Sequence, residues 1–207
     1  MESEPKTQRA PIGRPREFDA DEALERAMRV FWEQGYEGAS LTDLTEAMGI
    51  TRTSMYAAFG NKEDLFRKAL KRYTRGPASY GTRALLEPTA REVATAFLNG
   101  SVHATTTPGS PAGCLGVQGS LAAGAPGRAG RDTLTAWRND ALAELRTRFE
   151  HAAAEGDPLP PDTTPAELAR YVMAVANGIA VQAASGATRA ELQRVADMAL
   201  RHWAAGG

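Results

Sequence analysis

Two hundred and seven residues, 43% apolar and 24% charged, are enough for one or two domains around a substantial buried core. The 24 Lys plus Arg nearly cancel the 25 Asp plus Glu, which excludes a globally basic chain and leaves nucleic-acid binding to a local field. The single cysteine, Cys114, excludes an intrachain disulfide and a multi-cysteine zinc site, and the three histidines are scattered without ligand spacing, so neither a metal nor a cofactor is expected.

Residues 1–16 are polar and basic, without the apolar stretch of a signal peptide, and read as a flexible arm. The most apolar long region, residues 166–187, is interrupted by Glu167, Arg170, Asn177 and Gln182 and is too polar to span a membrane. A cytoplasmic protein is expected, with no membrane partner.

Apolar residues recur at spacings of three and four and nowhere alternate over a strand's length, so the predicted fold is all-α. Helix starts are marked by a Ser, Thr, Asp or Asn three residues before an acid, a pairing that satisfies free amides at a helix N-terminus: Asp19 with Glu22, Asn61 with Asp64, Thr89 with Glu92, Thr164 with Glu167, Thr188 with Glu191. Pro165 fits the first helical position. The first helix places Leu24, Ala27, Met28 and Phe31 on one face and stops at Gly35. Two short segments follow in SLTDLTEAMGITRTSMYAAFGNKEDLF, Ser40 to Phe66. A further helix carries Leu65, Phe66, Ala69, Leu70 and Tyr73 and is predicted to reach toward Tyr80. Beyond it the pattern predicts a helix from Thr89 toward Thr107, a short one around Leu115–Ala123 and a Gly-rich break. A longer helix through Leu134, Trp137, Ala141, Leu145 and Phe149 comes next, and two more follow the loop EGDPLPPDT.

The two short segments carry the clearest signal. Leu41, Leu44 and Met48 share one helical face, Gly49 permits the left-handed turn that ends it, and Ile50 tucks beneath. Thr51 caps a second segment that buries Met55 and Phe59. Helices this short are unstable alone and need the Phe31 helix beneath them. Arg52, Thr53, Ser54 and Tyr56 occupy the outer face of the second, the helix-turn-helix layout for reading a major groove. Nine acids against two arginines leave residues 17–46 at −7, whereas seven basic residues against two acids put 51–75 at +5, the local field that phosphate contact requires. In the arm, Arg14 and Arg16 flank Pro15, and such a segment beside a major-groove helix fits a narrow minor groove.

From Gly13 to Leu70 the chain resembles the TetR family of bacterial transcriptional regulators. The resemblance rests on an amphipathic first helix ending at Gly35–Tyr36, on Thr42 at the opening of the second helix, and on the run Tyr56, Phe59, Lys62, Glu63. It implies phosphate contacts from Thr42, Tyr56 and Lys62 and groove-facing positions at Thr51, Arg52, Thr53 and Ser54, with Arg52 suited to a guanine. Lys62 sits at a helix start, where the dipole disfavours a cation, which favours the phosphate reading. The chain departs from the pattern at Thr53, where many members carry Gly, and at Ala57 and Ala58, near which many carry His. The family plan implies an arm at 1–16, a DNA-binding domain at 17–61, a linking helix at 62–80 with pendulum motion, and a ligand-binding and dimerisation domain at 81–207. The implied function is that of a repressor, binding a near-palindromic operator in double-stranded DNA and released by a small-molecule effector.

In the second half, Leu168, Val172, Val175 and Ile179 on one helix, and Leu192, Val195, Ala199 and Trp203 on the next, read as the pairing elements of a homodimer. The competing reading is an ordinary buried helix pair. A pocket is expected from Tyr73, Tyr80, Phe97, His103, Cys114, Gln118, Trp137, Met173 and Asn177, a mostly apolar set with polar handles. Cys114 sits at a Gly-flanked helix start, where a dipole can lower a thiol's pKa and suit it to redox or electrophile sensing, but a lone cysteine is more often a small buried hydrophobe, and that reading is preferred. Two rival functions follow from single features: an architectural DNA-binding protein without a ligand, and an enzyme using Cys114 with a histidine.

Overall fold

The computed structural model describes residues 18–118, 127–201 and 203. Among these the chain forms ten α-helices: α1 (Ala20–Gly38), α2 (Leu41–Met48), α3 (Arg52–Phe59), α4 (Lys62–Arg75), α5 (Tyr80–Ala84), α6 (Ala90–Thr105), α7 (Leu115–Gln118), α8 (Arg128–Ala154), α9 (Pro165–Ala184) and α10 (Arg189–Leu200). The all-helical reading holds, and the starts lie where the capping residues put them. Reciprocal capping boxes open α4, α6, α9 and α10, and Asp19 accepts from the Asp21 and Glu22 amides at the start of α1. A further box, Ser40 with Asp43, opens α2, and Thr42 lies in its first turn.

Two boundaries differ from expectation, the end of α4 and the start of α8. The helix begun at Lys62 ends at Arg75 and does not run to Tyr80, because Pro77 restricts Gly76 and cannot donate to the helix; Tyr80 instead opens α5. At Gly35 the expected stop is present inside α1: its φ of 71° and ψ of 175° leave the helical conformation, and the chain kinks there before a last short turn that returns Tyr36 toward the core. The break expected through residue 130 is shorter, since α8 begins at Arg128 with Gly130 buried in its first turn. Residues 119–123 of the predicted short helix lie outside the described residues.

The helix pair α2–α3 packs on α1 and α4 through Phe31, Leu44, Met55 and Phe66, all buried. Gly49, at φ 68°, makes the left-handed turn between the pair. This core continues into the second half of the chain through Cys114, Leu115 and Leu134. A second core joins α6, α8, α9 and α10 around Phe97, Leu98, Leu145, Phe149 and Val172. Tyr80 packs against both cores.

Candidate nucleic-acid interface and effector cavity

The recognition surface is built from the caps outward. Thr51 accepts the Ser54 amide at 3.1 Å, and the two hydroxyls lie 2.9 Å apart, so both are engaged in starting α3. Met55 and Phe59 anchor the inner face. That leaves Arg52, Thr53 and Tyr56 on the outside, Tyr56 46% exposed, with no side-chain hydrogen bond to another described residue. Thr42, on the first turn of α2, is also exposed. An arginine, a hydroxyl and a phenol presented this way supply donors for base edges and phosphates. Arg14 and Arg16 lie outside the described residues.

The basic count of this region is partly spent within the fold. Arg67 pairs with Glu63 and Asp64, and Arg72 with Glu25 at 2.7 Å. Lys68 donates to the Phe59 carbonyl at 2.8 Å, capping the C-terminus of α3, a role no sequence spacing signals because it joins two helices across a turn. Lys62 is partly buried, with its ammonium 4.7 Å from the centre of the Tyr36 ring. Burial pulls its pKa below the ordinary lysine value, while the nearby carboxylates of Glu37 and Asp43 oppose the shift.

Between the two cores lies a cavity of about 240 Å³, walled by the end of α4, α5, α6, α8 and α9. Six of the nine residues expected at a pocket line it: Tyr80, Phe97, Cys114, Trp137, Met173 and Asn177. Tyr80 and Phe97 meet edge to face at 5.5 Å. The other three lie elsewhere. Tyr73 is buried behind Cys114 and donates its hydroxyl to the sulfur at 3.2 Å. His103 faces a different cleft beside Arg83 and Asn99, because it lies two residues, or about 200°, from the inward Ser101 on α6. Gln118 sits against Gly113, with a buried side-chain oxygen that has no partner among the described residues. Thr74, Ser101, Asp140 and Glu144 also line the cavity and were missed; the last two stand three and seven residues after Trp137, a helical spacing that could have found them.

Cys114 is a buried thiol within the core, as a lone cysteine usually is, and the helix start beside it does not activate it. Burial pushes the Cys114 thiol above its ordinary pKa, and hydrogen bonds from Tyr73 and the Gly116 and Val117 amides only reduce that rise. The helix beginning at Leu115 has four residues, too few for a dipole that overcomes desolvation.

Two hydrogen bonds join the helices around α2 and α3 to the rest of the chain, and the first starts from a cavity residue. Trp137 donates its indole N–H to Thr74, in the last turn of α4, at 2.9 Å, and Arg29 of α1 donates to the Gly109 carbonyl at 2.8 Å. The predicted pairing residues Leu168, Val172, Ile179, Leu192, Ala199 and Trp203 are buried within the chain's own core, because α9 and α10 must first cover α6 and α8. Val175 is partly buried, and Val195 remains exposed. The apolar side chains these helices leave outward are Tyr171, Val181, Val195 and Met198, 40 to 54% exposed.

The sequence profile of the bacterial regulatory proteins, tetR family, matches residues 23–69. Over 193 residues, 92% of this chain and 91% of the relative, the sequence is 33% identical to the HTH-type transcriptional repressor ComR of Escherichia coli K12. The chain belongs to the TetR family. As a member it is a transcriptional regulator, with the helix-turn-helix of that family in α2 and α3. A solved structure of a cysteine mutant of the TetR family transcriptional regulator CifR, complexed with a 26-base-pair double-strand operator DNA, is 44% identical with a TM-score of 0.85, covering 92% of this chain and all of that one. A TetR-type regulator from Rhodococcus sp. RHA1 is 47% identical with a TM-score of 0.59, covering 88% of this chain and 97% of its own. Among the described residues no helix is long and apolar enough to cross a membrane, and no cluster of three metal-ligating side chains occurs.

Proposed function

We propose that this TetR-family regulator is a ligand-responsive cytoplasmic repressor, which binds a near-palindromic operator in double-stranded DNA as a homodimer and releases it when a small molecule fills the cavity beside Trp137. The observation that carries the reading is the outer face of α3, where Arg52, Thr53 and Tyr56 stand exposed on the second helix of a helix-turn-helix. Arg52 contacts a guanine, Thr53 and the hydroxyls of Thr51 and Ser54 face the groove, and Thr42, Tyr56 and Lys62 hold phosphates. Arg14 and Arg16 of the arm enter the adjacent minor groove. In domain terms, residues 1–16 are the arm, 17–61 the DNA-binding head, 62–80 the link and 81–207 the body.

Release follows from linkage. A ligand that spreads the cavity wall pulls on Thr74 through Trp137 and on Tyr73 through Cys114, and both sit on the last turn of α4. Moving α4 re-spaces two recognition helices that must stand about 34 to 36 Å apart on the operator. A coupling of about 1 to 3 kcal/mol is enough for regulation. The dimer forms through Tyr171, Val181, Val195 and Met198, the apolar groups left outward on α9 and α10. Cys114 has no catalytic part in this reading, which makes the chain a regulator rather than an enzyme, since its buried, proton-retaining sulfur is a poor nucleophile.

The test is binding to duplex DNA from upstream of the chain's own gene. Arg52→Ala lowers affinity by about 1 to 3 kcal/mol and narrows the gap between operator and scrambled duplex, whereas Tyr56→Phe costs less and weakens both duplexes alike, as the loss of a phosphate contact should. Unchanged operator affinity in Arg52→Ala contradicts the assignment, and equal wild-type affinity for both duplexes favours the architectural reading. Met198→Asp sediments as a monomer if the pairing face is correct.

A further inference from the structure

We infer that Tyr36 is a positioning residue for Lys62, and that the first turn of α8 holds it in place through Gly130. This inference rests on the reading of Lys62 as a phosphate contact. The kink at Gly35 returns the Tyr36 ring to the head, where it meets Phe66 edge to face at 5.1 Å and lies nearly parallel to Phe31 at 6.3 Å. The Lys62 ammonium stands over the same ring, 4.7 Å from its centre.

That placement answers a difficulty at the start of α4. A lysine in the first turn of a helix is repelled by the dipole and gains by swinging into water. The ring face, with Glu37 and Asp43 nearby, supplies the attraction that keeps this one folded back against the head.

The ring is in turn held by the body. A Cβ placed on Gly130 would lie 2.3 Å from Cγ of Tyr36 and 2.5 Å from its Cβ, so the α8 backbone rests directly on the tyrosine and admits only glycine there. Gly130 is buried in that contact. A shift of the first turn of α8 therefore displaces Tyr36, and with it Lys62, by a route that bypasses the length of α4.

Salt dependence isolates the claim, because each phosphate contact contributes about 0.9 to the slope of log affinity against log salt, regardless of sequence. The probe is a fluorescein-labelled duplex of mixed sequence, titrated between 50 and 200 mM salt. Losing one contact makes the fall in affinity across that range about 3.5-fold smaller. Lys62→Ala is expected to show this loss, Tyr36→Leu and Gly130→Ala to reproduce it, and Tyr36→Phe, which keeps the ring face, to match the wild type. A wild-type slope in folded Tyr36→Leu and Gly130→Ala, with the loss present in Lys62→Ala, overturns the positioning role alone. A wild-type slope in Lys62→Ala overturns the phosphate reading and the inference with it. Should either core variant fail to fold, the Lys62 Hε resonances of the wild type and Tyr36→Phe decide: upfield ring-current shifts in both support the contact, and unshifted resonances overturn it.

Discussion

Where the DNA-binding head packs on the linking helix α4, aromatic rings interlock: Phe31 meets Phe66 at 5.0 Å and Trp32 meets Tyr73 at 4.9 Å, both edge to face and all four fully buried. In the body, Tyr80, Phe97 and Trp137 stand around a cavity of about 240 Å³. The same residue types thus do opposite work. The head uses rings to fix the pose of two short helices that have no stability of their own, and the body uses them to keep space open. A regulator needs both: a reader too rigid to adapt to wrong DNA, and a sensor that changes packing when something enters.

The largest expected effect breaks this contrast directly. Phe66→Ala should cost about 3 to 5 kcal/mol of folding stability, since the interlocked head cannot collapse around the hole. Phe97→Ala should cost clearly less, because its ring already borders open volume. Chemical denaturation of the two variants compares them, and equal losses would show that the body is packed as tightly as the head.

A smaller effect tests what the two regions share. Asp43 in the head, Asp64 at the start of the linking helix α4, and Glu167 and Glu191 in the body all have pKa values lowered from the ordinary carboxylate value. Asp43, Glu167 and Glu191 owe this chiefly to their capping hydroxyls, and Asp64 chiefly to Arg67. A depressed folded-state pKa contributes stability that is complete above the unfolded value, about 4, and is lost as pH falls below it. The thermal midpoint should therefore hold from pH 7 to 5 and drop below about pH 4 in head and body together. An acid-induced loss confined to one region, followed by ring resonances of Phe66 and Phe97, would show that the caps are not equivalent.

The contrast also explains what could be read from the chain. Gly49, Thr51, Met55 and Phe59 specify the helix-turn-helix through near neighbours, so their pattern is local and legible. The Ser40–Asp43 cap is equally local. In the body the decisive facts are tertiary. Leu168, Val172 and Ile179 have a spacing that suits a partner or the chain's own core equally well, and only the positions of α6 and α8 show that they face inward. His103 and Phe97 share a helix but face different clefts. The contact of Gly130 with Tyr36 joins residues 94 positions apart, which no periodicity connects.

The central claim is that the volume of the body's cavity is coupled to the grip of the head, and a filled cavity tests it without an identified effector. Ala141 lines the cavity from α8 and is partly buried, so Ala141→Trp places an indole where a ligand would sit. Equilibrium binding of this variant to the operator duplex is expected to weaken about 5- to 150-fold relative to the wild type, with binding to a scrambled duplex unchanged. A folded Ala141→Trp protein that binds the operator with wild-type affinity would contradict the account.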